Sequence, residues 1–181
     1  VQSGDVSADI DYKASGSLVL NSGTIQDGAG NNATLVLPSP GESDSLGANK
    51  ALVIDTSLPL VSGTTVAQDN TSISVTFSES VYTAAGGDGV LVPGDFALSI
   101  SGGTATVAAT PASLGVSGNV FTLALGLSGV PDGTEVLSVV PVGAAAIFDA
   151  AGNAASATQS NNAVTLLKQV NATEDMAFSY S

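Results

Sequence analysis

Apolar and polar residues alternate along much of the chain, with the two-residue period that is typical of a half-buried strand. Ile73, Val75 and Phe77, for example, are separated by Ser74 and Thr76. In a pleated strand this spacing places every apolar side chain on one face, so each such run predicts a strand with one face towards a core. Seven runs are predicted in the second part of the chain, at 60–67, 71–77, 95–101, 104–109, 119–126, 134–141 and 157–167.

The seven runs are short, and Gly, Asn, Asp, Ser and Pro fill the gaps between them. No amphipathic helical pattern interrupts them. Short strands at this spacing predict an all-β fold, an immunoglobulin-like Greek-key β-sandwich, over residues 57–168. Residues 1–56 supply only three or four strands, which do not close a sandwich. Those strands are predicted near 17–20, 33–37 and 50–54.

One short phrase occurs twice, as Asp-Gly-Ala-Gly-Asn at 27–31 and as Asp-Ala-Ala-Gly-Asn at 149–153. The copies are about 120 residues apart, a spacing that fits tandem all-β modules and exceeds the repeat length of solenoids. The second copy lies near the end of its module. Residues 1–56 are therefore interpreted as the C-terminal half of a preceding module, and residues 169–181 as a linker and the first strand of a following one.

Charge and composition exclude several classes of function. The net charge is −13, with sixteen acids, three lysines and no arginine or histidine. Nucleic acid is excluded as a partner because neutralising phosphates requires clustered Lys and Arg. The lack of cysteine excludes disulfides and thiolate metal sites. No apolar stretch approaches the ~20 residues of a membrane span, so no direct membrane insertion is expected.

Composition also predicts that the chain is not an enzyme. Without histidine there is no Ser-His pair, and without cysteine there is no thiol nucleophile. Paired carboxylates can hydrolyse glycosides, but such clefts usually present aromatic platforms. Tryptophan is absent, and Phe77, Phe96 and Phe121 fall on the predicted inner faces.

Several separated phrases resemble the bacterial immunoglobulin-like repeats of large secreted or surface-attached, adhesin-type proteins. They are Asp-Thr at 55–56 with Pro59, Phe-Ser-Glu-Ser-Val-Tyr at 77–82, Ser-Gly-Gly-Thr-Ala-Thr at 101–106, the phrase at 149–153, and Gln-Ser-Asn-Asn at 159–162. Residues 171–181 are similar to the opening of a cadherin-like, dystroglycan-type module. The resemblance implies an extracellular rod without catalysis, often with calcium between modules.

Three acids are expected to converge at the end of the sandwich where the chain enters it. If the strands alternate in direction, Asp55, Glu79 and Asp149 all lie at that end and face the junction with the previous module. Calcium takes six to eight oxygen ligands, which carboxylates and loop carbonyls supply. The alternative is that Asp149 only caps its own turn. Asp27 occupies the equivalent loop of the incomplete module and is expected to hold no ion.

A second group of polar side chains is expected at the opposite end of the sandwich. This second candidate metal site consists of Asp69, Asn70 and Asp132, close to Glu174 in the following segment. Ordinary tight turns are the alternative, because Asp and Asn favour them.

The sequence therefore predicts a structural spacer in an extracellular or cell-surface repeat protein, whose partners are the neighbouring modules of the same polypeptide. Calcium at the junctions would stiffen the array. The alternative function is an adhesion module that binds a host or cell-surface glycan or protein through the loop at 83–94.

Overall fold

The computed structural model describes residues 1–169. Contacts within the chain divide it into two units, Val1–Ser57 and a second unit that begins at Leu58. Glu174 and the first strand expected for a following module lie outside the described residues.

The first unit contains little regular structure. Strand β1 (Val6–Ser7) pairs antiparallel with β2 (Ile54–Asp55), and helix α1 (Leu46–Asn49) is a single turn capped by Ser45. Ser45 is fully buried, whereas every other residue of 1–57 is at least partly exposed. A short apolar segment forms a strand only when a neighbouring strand takes up its backbone hydrogen bonds and other elements cover its apolar side chains. The strands expected at 17–20 and 33–37 do not form, and the prediction for them was wrong.

Between Leu58 and Gln169, the second unit forms nine strands and one short 3₁₀ turn, Pro93–Asp95. The first sheet contains β3 (Val61–Val66), β4 (Ser72–Phe77), β7 (Leu114–Ser117) and β8 (Val120–Ala124). The second sheet contains β5 (Phe96–Ser101), β10 (Val136–Pro141) and β11 (Ala163–Thr165). A separate two-stranded ribbon pairs β6 (Thr106–Val107) with β9 (Leu127–Ser128).

Both sheets are antiparallel, and their strand orders identify the topology. The first sheet runs β3-β4-β8-β7 and the second β11-β10-β5. When the strands of the small ribbon are left out, the other seven can be lettered A to G in chain order. The first sheet then has the order A-B-E-D and the second G-F-C, which are the two sheets of the seven-stranded immunoglobulin-like sandwich. The prediction of an all-β sandwich is confirmed.

One edge strand was assigned to the wrong segment. The sequence placed the fourth strand at 104–109, but that segment contributes only β6, and the strand that completes the first sheet is β7. Its sequence, Leu-Gly-Val-Ser, offers two apolar residues around a glycine, too weak an alternation to stand out. A two-residue loop, with Gly118 at φ +58°, folds β7 back onto β8.

The core lies between the two sheets and is centred on three aromatic rings. Phe77 and Phe121 meet edge to face with ring centroids 5.7 Å apart, and Phe96 lies 5.9 Å from Phe121. Phe77 and Phe121 come from the first sheet and Phe96 from the second, so the rings join the layers. Aromatic pairs in this geometry stabilise a core beyond the area that they bury.

Candidate metal centre and the acidic loops

The loop at 149–153 is closed by its own first and last residues. Asp149 N–H donates to the Asn153 carbonyl at 3.0 Å, and the Asn153 backbone N–H returns a bond to Asp149 Oδ1 at 2.8 Å. The Asn153 side-chain amide donates to Asp149 Oδ2 at 2.8 Å. Gly152 adopts φ +94°, which strongly favours glycine. Asp149 is fully buried, so this carboxylate holds the loop from inside.

The loop at 27–31 in the first unit repeats this geometry. Asp27 N–H donates to the Asn31 carbonyl at 3.0 Å, and Asp27 Oδ1 accepts from the Asn31 backbone N–H at 2.9 Å. The Asn31 amide again bonds to Asp27 Oδ2, at 2.8 Å, and Gly30 has φ +86°. These hydrogen bonds lower the pKa of the Asp27 carboxyl, the Asn31 side chain contributing most. The two copies of the phrase therefore form the same local structure.

The segment that carries Glu79 is tied to the loop of Asp149. Ser78 N–H donates to the Leu60 carbonyl at 2.8 Å, which fixes the end of β4 against the start of β3. A few residues later, Tyr82 and Phe148 exchange backbone hydrogen bonds of 2.7 and 2.8 Å. The chain around Glu79 is thus held at both sides, next to the loop that Phe148 leads into.

Of the three acids expected here, Glu79 and Asp149 belong to the second unit and form a carboxylate group, in which an oxygen of one lies within 4.8 Å of an oxygen of the other. Asp149 is buried, and the other two side chains are half-buried. Two negative charges this close repel each other, and burial strengthens that repulsion. A cation that accepts carboxylate oxygens relieves it, so the group is able to hold a metal ion.

Turn chemistry operates at the same residues. Asp55 Oδ1 accepts from the Ser57 backbone N–H at 2.9 Å, in the Asx turn that leads out of β2. Asp149 accepts two hydrogen bonds from Asn153. A carboxylate oxygen has two lone pairs, so a hydrogen bond to one leaves the other able to ligate a cation. The two explanations offered by the sequence are therefore compatible at this end of the sandwich.

At the opposite end, Asp69 and Asp132 each cap a turn. Asp69 Oδ1 accepts from the Thr71 backbone N–H at 3.1 Å and its hydroxyl at 2.8 Å. Asp132 Oδ1 bonds in the same way to Thr134, at 2.8 and 2.6 Å. The Thr71 hydrogen bonds lower the pKa of the Asp69 carboxyl. A metal site that joins these two residues with Glu174 stays a prediction, because Glu174 lies outside the described part of the chain.

Glu135 is a buried carboxylate that is not among the residues predicted from the sequence. Its Oε1 accepts from Thr104 and Ala105 N–H, both at 3.1 Å, and its Oε2 from Asp132 and Gly133 N–H, at 3.0 and 3.1 Å. Burial by itself raises the pKa of this carboxyl, but the surrounding backbone N–H groups outweigh burial and lower the pKa from 4.5 to about 2. The signal in the sequence was an acid between an Asp-Gly turn and an apolar strand.

Each glycine of the pair before Thr104 lies against the segment that carries Glu135: a Cβ added to Gly102 would lie 2.7 Å from the Thr134 carbonyl oxygen. A Cβ added to Gly103 would lie 2.2 Å from Glu135 Cδ, and Gly103 adopts φ +58°. The backbone therefore wraps around the carboxylate at a distance that only glycine permits. The phrase at 101–106 is a cradle for a buried charge, which is a structural role.

The long loop at 83–94 is open and rich in glycine. Its tip is pinned by Ala84 N–H donating to the Asp88 carbonyl at 3.0 Å, with Gly86, Gly87 and Gly89 at positive φ. Val90 is 75% exposed. The loop thus presents apolar surface to solvent.

Comparison with known proteins gives limited resemblance. No protein-family model matches the chain, and no curated protein matches it. Among solved structures, the N-terminal part of the bacterial S-layer protein SbsC is similar to 62% of this chain, with 28% sequence identity and a TM-score of 0.44. The similar region spans 24% of that S-layer structure. Among residues 1–169, no helix combines the length and the apolar character needed to traverse a bilayer.

Proposed function

We propose that this chain is a non-catalytic structural spacer of an extracellular or cell-surface repeat protein of the adhesin type. The observation that carries the proposal is the loop that closes in the same way at 27–31 and at 149–153, with matching hydrogen bonds and a positive-φ glycine in each. A local structure that recurs in two successive units is what a tandem array of one module type would contain. The partners of each module are then its neighbours in the polypeptide.

The spacer works by being stiff. Antiparallel sheets resist extension through their strand ladders, whereas a short linker between modules behaves as a hinge. We propose that calcium binds Asp55, Glu79 and Asp149 and removes this hinge freedom, because Asp55 lies on the segment that leads into the sandwich. Remaining coordination sites would be filled by loop carbonyls and water. Binding that occurs only in the folded form also raises stability by mass action.

The experiment compares the protein in millimolar calcium and in chelator. Thermal melting gives the stability, small-angle scattering gives the dimensions, and isothermal titration gives the affinity. Calcium is expected to raise the melting temperature by several degrees and to reduce the spread of solution dimensions. Unchanged values in both measurements would leave a spacer that does not use metal.

A matched pair of variants tests the site itself. Asp149→Asn and Asp27→Asn each remove one charge from the same loop geometry, but only Asp149 belongs to the carboxylate group. Asp149→Asn should therefore lower calcium affinity at least ~10-fold, whereas Asp27→Asn should leave it unchanged. Glu79→Gln, in a different loop, should reproduce the loss. Equal effects of Asp149→Asn and Asp27→Asn would show that calcium binds elsewhere.

The second candidate function is an adhesion module that binds a host or cell-surface glycan or protein through residues 83–94. The exposure of Val90 and Val92, 75% and 54%, favours it. Glycan arrays and pull-down from host-cell surface extracts test it. Saturable binding that is lost when Val90 and Val92 are both replaced by serine would favour the adhesion module over the spacer.

A further inference from the structure

Strand β7 leaves one edge of the first sheet open. It is the terminal strand in the order β3-β4-β8-β7, and its far side pairs with no strand of residues 1–169. The Ala124 N–H donates to the Ser113 carbonyl at 3.0 Å, which makes residues 113 and 124 a hydrogen-bonded pair. Such pairs alternate along an antiparallel ladder. Gly115 and Ser117 therefore face β8.

The backbone groups of Leu114 and Val116 consequently face outwards. These two residues stand opposite Leu123 and Phe121 in β8, in the positions that form no hydrogen bonds to that strand. Their N–H and C=O groups form a row of two donors and two acceptors along the open edge. A row of this kind is a template for another strand.

The side chains beside this edge form an incompletely covered groove. Val116 is on the same face as Phe121, which is buried, yet Val116 is 53% exposed. A depression of about 210 Å³ opens there, and Val90, Leu91, Val116 and Phe121 contribute its apolar lining. An inserted strand would cover core-facing apolar surface as well as satisfy the open edge.

The edge also lacks two of the features that normally prevent pairing. Protein edges are protected by charges, proline or bulges, and β7 has no charge and no proline. From Phe96 to Pro131 the sequence contains no charged residue at all, in a chain of net charge −13. Two copies of this chain repel each other through most of their surface, so this neutral edge is where the electrostatic opposition to contact is least.

We propose that β7 pairs antiparallel with β7 of a second copy, about a two-fold axis at Gly115. Leu114 of one copy then stands opposite Val116 of the other, and the two outward rows complete four hydrogen bonds. The symmetry is self-complementary, since the same edge supplies both sides. The two sandwiches then point in opposite directions. This pairing does not depend on calcium or on the spacer function.

Cysteine substitution tests the register directly, because the chain has no cysteine of its own. At Gly115 a Cβ meets its nearest neighbour at 3.9 Å, so Gly115→Cys fits without collision. Because Gly115 lies on the two-fold axis, a cysteine there faces the same cysteine of the second copy within the distance that a disulfide spans. Cysteines at Ser117 of the two copies would be ~13 Å apart, too far for a disulfide. With oxidised glutathione, Gly115→Cys should form a disulfide dimer and Ser117→Cys should not. Equal cross-linking of both, or of neither, overturns the proposal.

Sedimentation equilibrium up to millimolar concentration tests association without cross-linking. One short strand from each copy buries little surface, so a weak dimer is expected. The average mass should approach twice the 17.6 kDa of one chain only at the highest concentrations. Val116→Lys should weaken it at least ~10-fold. Val142→Lys, at a position of similar exposure (59%) in the segment after β10, should not. Added salt should strengthen the dimer by screening like charges. A strictly monomeric wild type, or equal loss in both lysine variants, contradicts the pairing.

Val116→Pro separates backbone pairing from side-chain contact. Because the Val116 N–H faces outwards, proline there removes a donor for the second copy and no bond to β8. The variant should keep its β-sheet circular dichroism and lose dimerisation. Retention of the wild-type dimer by a folded Val116→Pro variant would overturn strand pairing.

Discussion

The side chain of Asn70 acts as a strand partner for Leu167. Asn70 Nδ2 donates to the Leu167 carbonyl at 2.7 Å, and the Leu167 N–H donates to Asn70 Oδ1 at 3.0 Å. Asn70 is 1% exposed and adopts φ +55° in the turn between β3 and β4. One amide therefore ties the chain after β11 to the opposite sheet, a role different from the metal ligation considered for Asn70 from the sequence.

Replacing Asn70 with alanine should destabilise the sandwich by about 2–4 kcal/mol. The variant leaves both backbone groups of Leu167 without partners and puts alanine at a positive φ that asparagine tolerates better. Asn161→Ala is the matched control, since Asn161 has φ +59° but is exposed, and it should cost only about 1 kcal/mol. Chemical denaturation followed by circular dichroism measures both. Equal losses would mean that the Asn70–Leu167 pair contributes nothing.

Glu135 should make the stability of the sandwich depend on acid pH. Its pKa is about 2 in the folded protein and near 4.5 when unfolded, so the unfolded state binds the proton more readily. The stabilisation is fully present above pH 4.5 and is lost progressively as the pH falls from 4.5 towards 2. Denaturation midpoints measured at a series of pH values between 7 and 2 should follow this course.

Glu135→Gln should be less stable than the wild type at pH 7, because its amide cannot accept all of the N–H donors, and the difference should shrink near pH 2. Glu42→Gln, at an exposed position, is the control and should retain the wild-type profile. An unchanged acid dependence in Glu135→Gln would assign the effect to another carboxylate.

Gly103→Ala should cost far more stability than Gly118→Ala, although both glycines have φ +58°. At Gly118 an added Cβ meets nothing within 4 Å, so only the backbone conformation contributes, about 1 kcal/mol. At Gly103 the same Cβ collides with the Glu135 carboxyl and displaces it from its donors. The loss for Gly103→Ala is expected to be more than twice as large. Similar losses would contradict the cradle around Glu135.

Phe96→Ala should destabilise the sandwich by about 3–5 kcal/mol, since Phe96 is 1% exposed and its ring contacts Phe77 and Phe121 across the sheets. Val92→Ala, at an exposed position just before β5, should change stability by less than about 0.5 kcal/mol. Thermal and chemical denaturation measure both variants. A loss below about 1 kcal/mol for Phe96→Ala would show that the three rings do not form the centre of the core.

The sandwich could be predicted because its central strands carry their burial pattern in their own sequence. Ile73, Val75 and Phe77 alternate with polar residues and are all buried in the structure. Strand β7 was missed because an edge strand buries little, and Leu-Gly-Val-Ser leaves a correspondingly weak pattern. The strands expected at 17–20 and 33–37 failed for the opposite reason, since a short apolar run alone does not provide the partner strands that would stabilise it.

By itself, the sequence determined the local structures: the alternating strands, the turns, and the loop that closes identically at 27–31 and 149–153. Each depends on neighbours in the chain and on a glycine or Asx side chain at a fixed place. Only the tertiary structure decided what distant segments do together. It brought one oxygen each from Glu79 and Asp149 within 4.8 Å of each other, and it enclosed Glu135 in backbone donors from two segments. Charge and hydrogen bonding act through space, so their partners cannot be read from spacing along the chain.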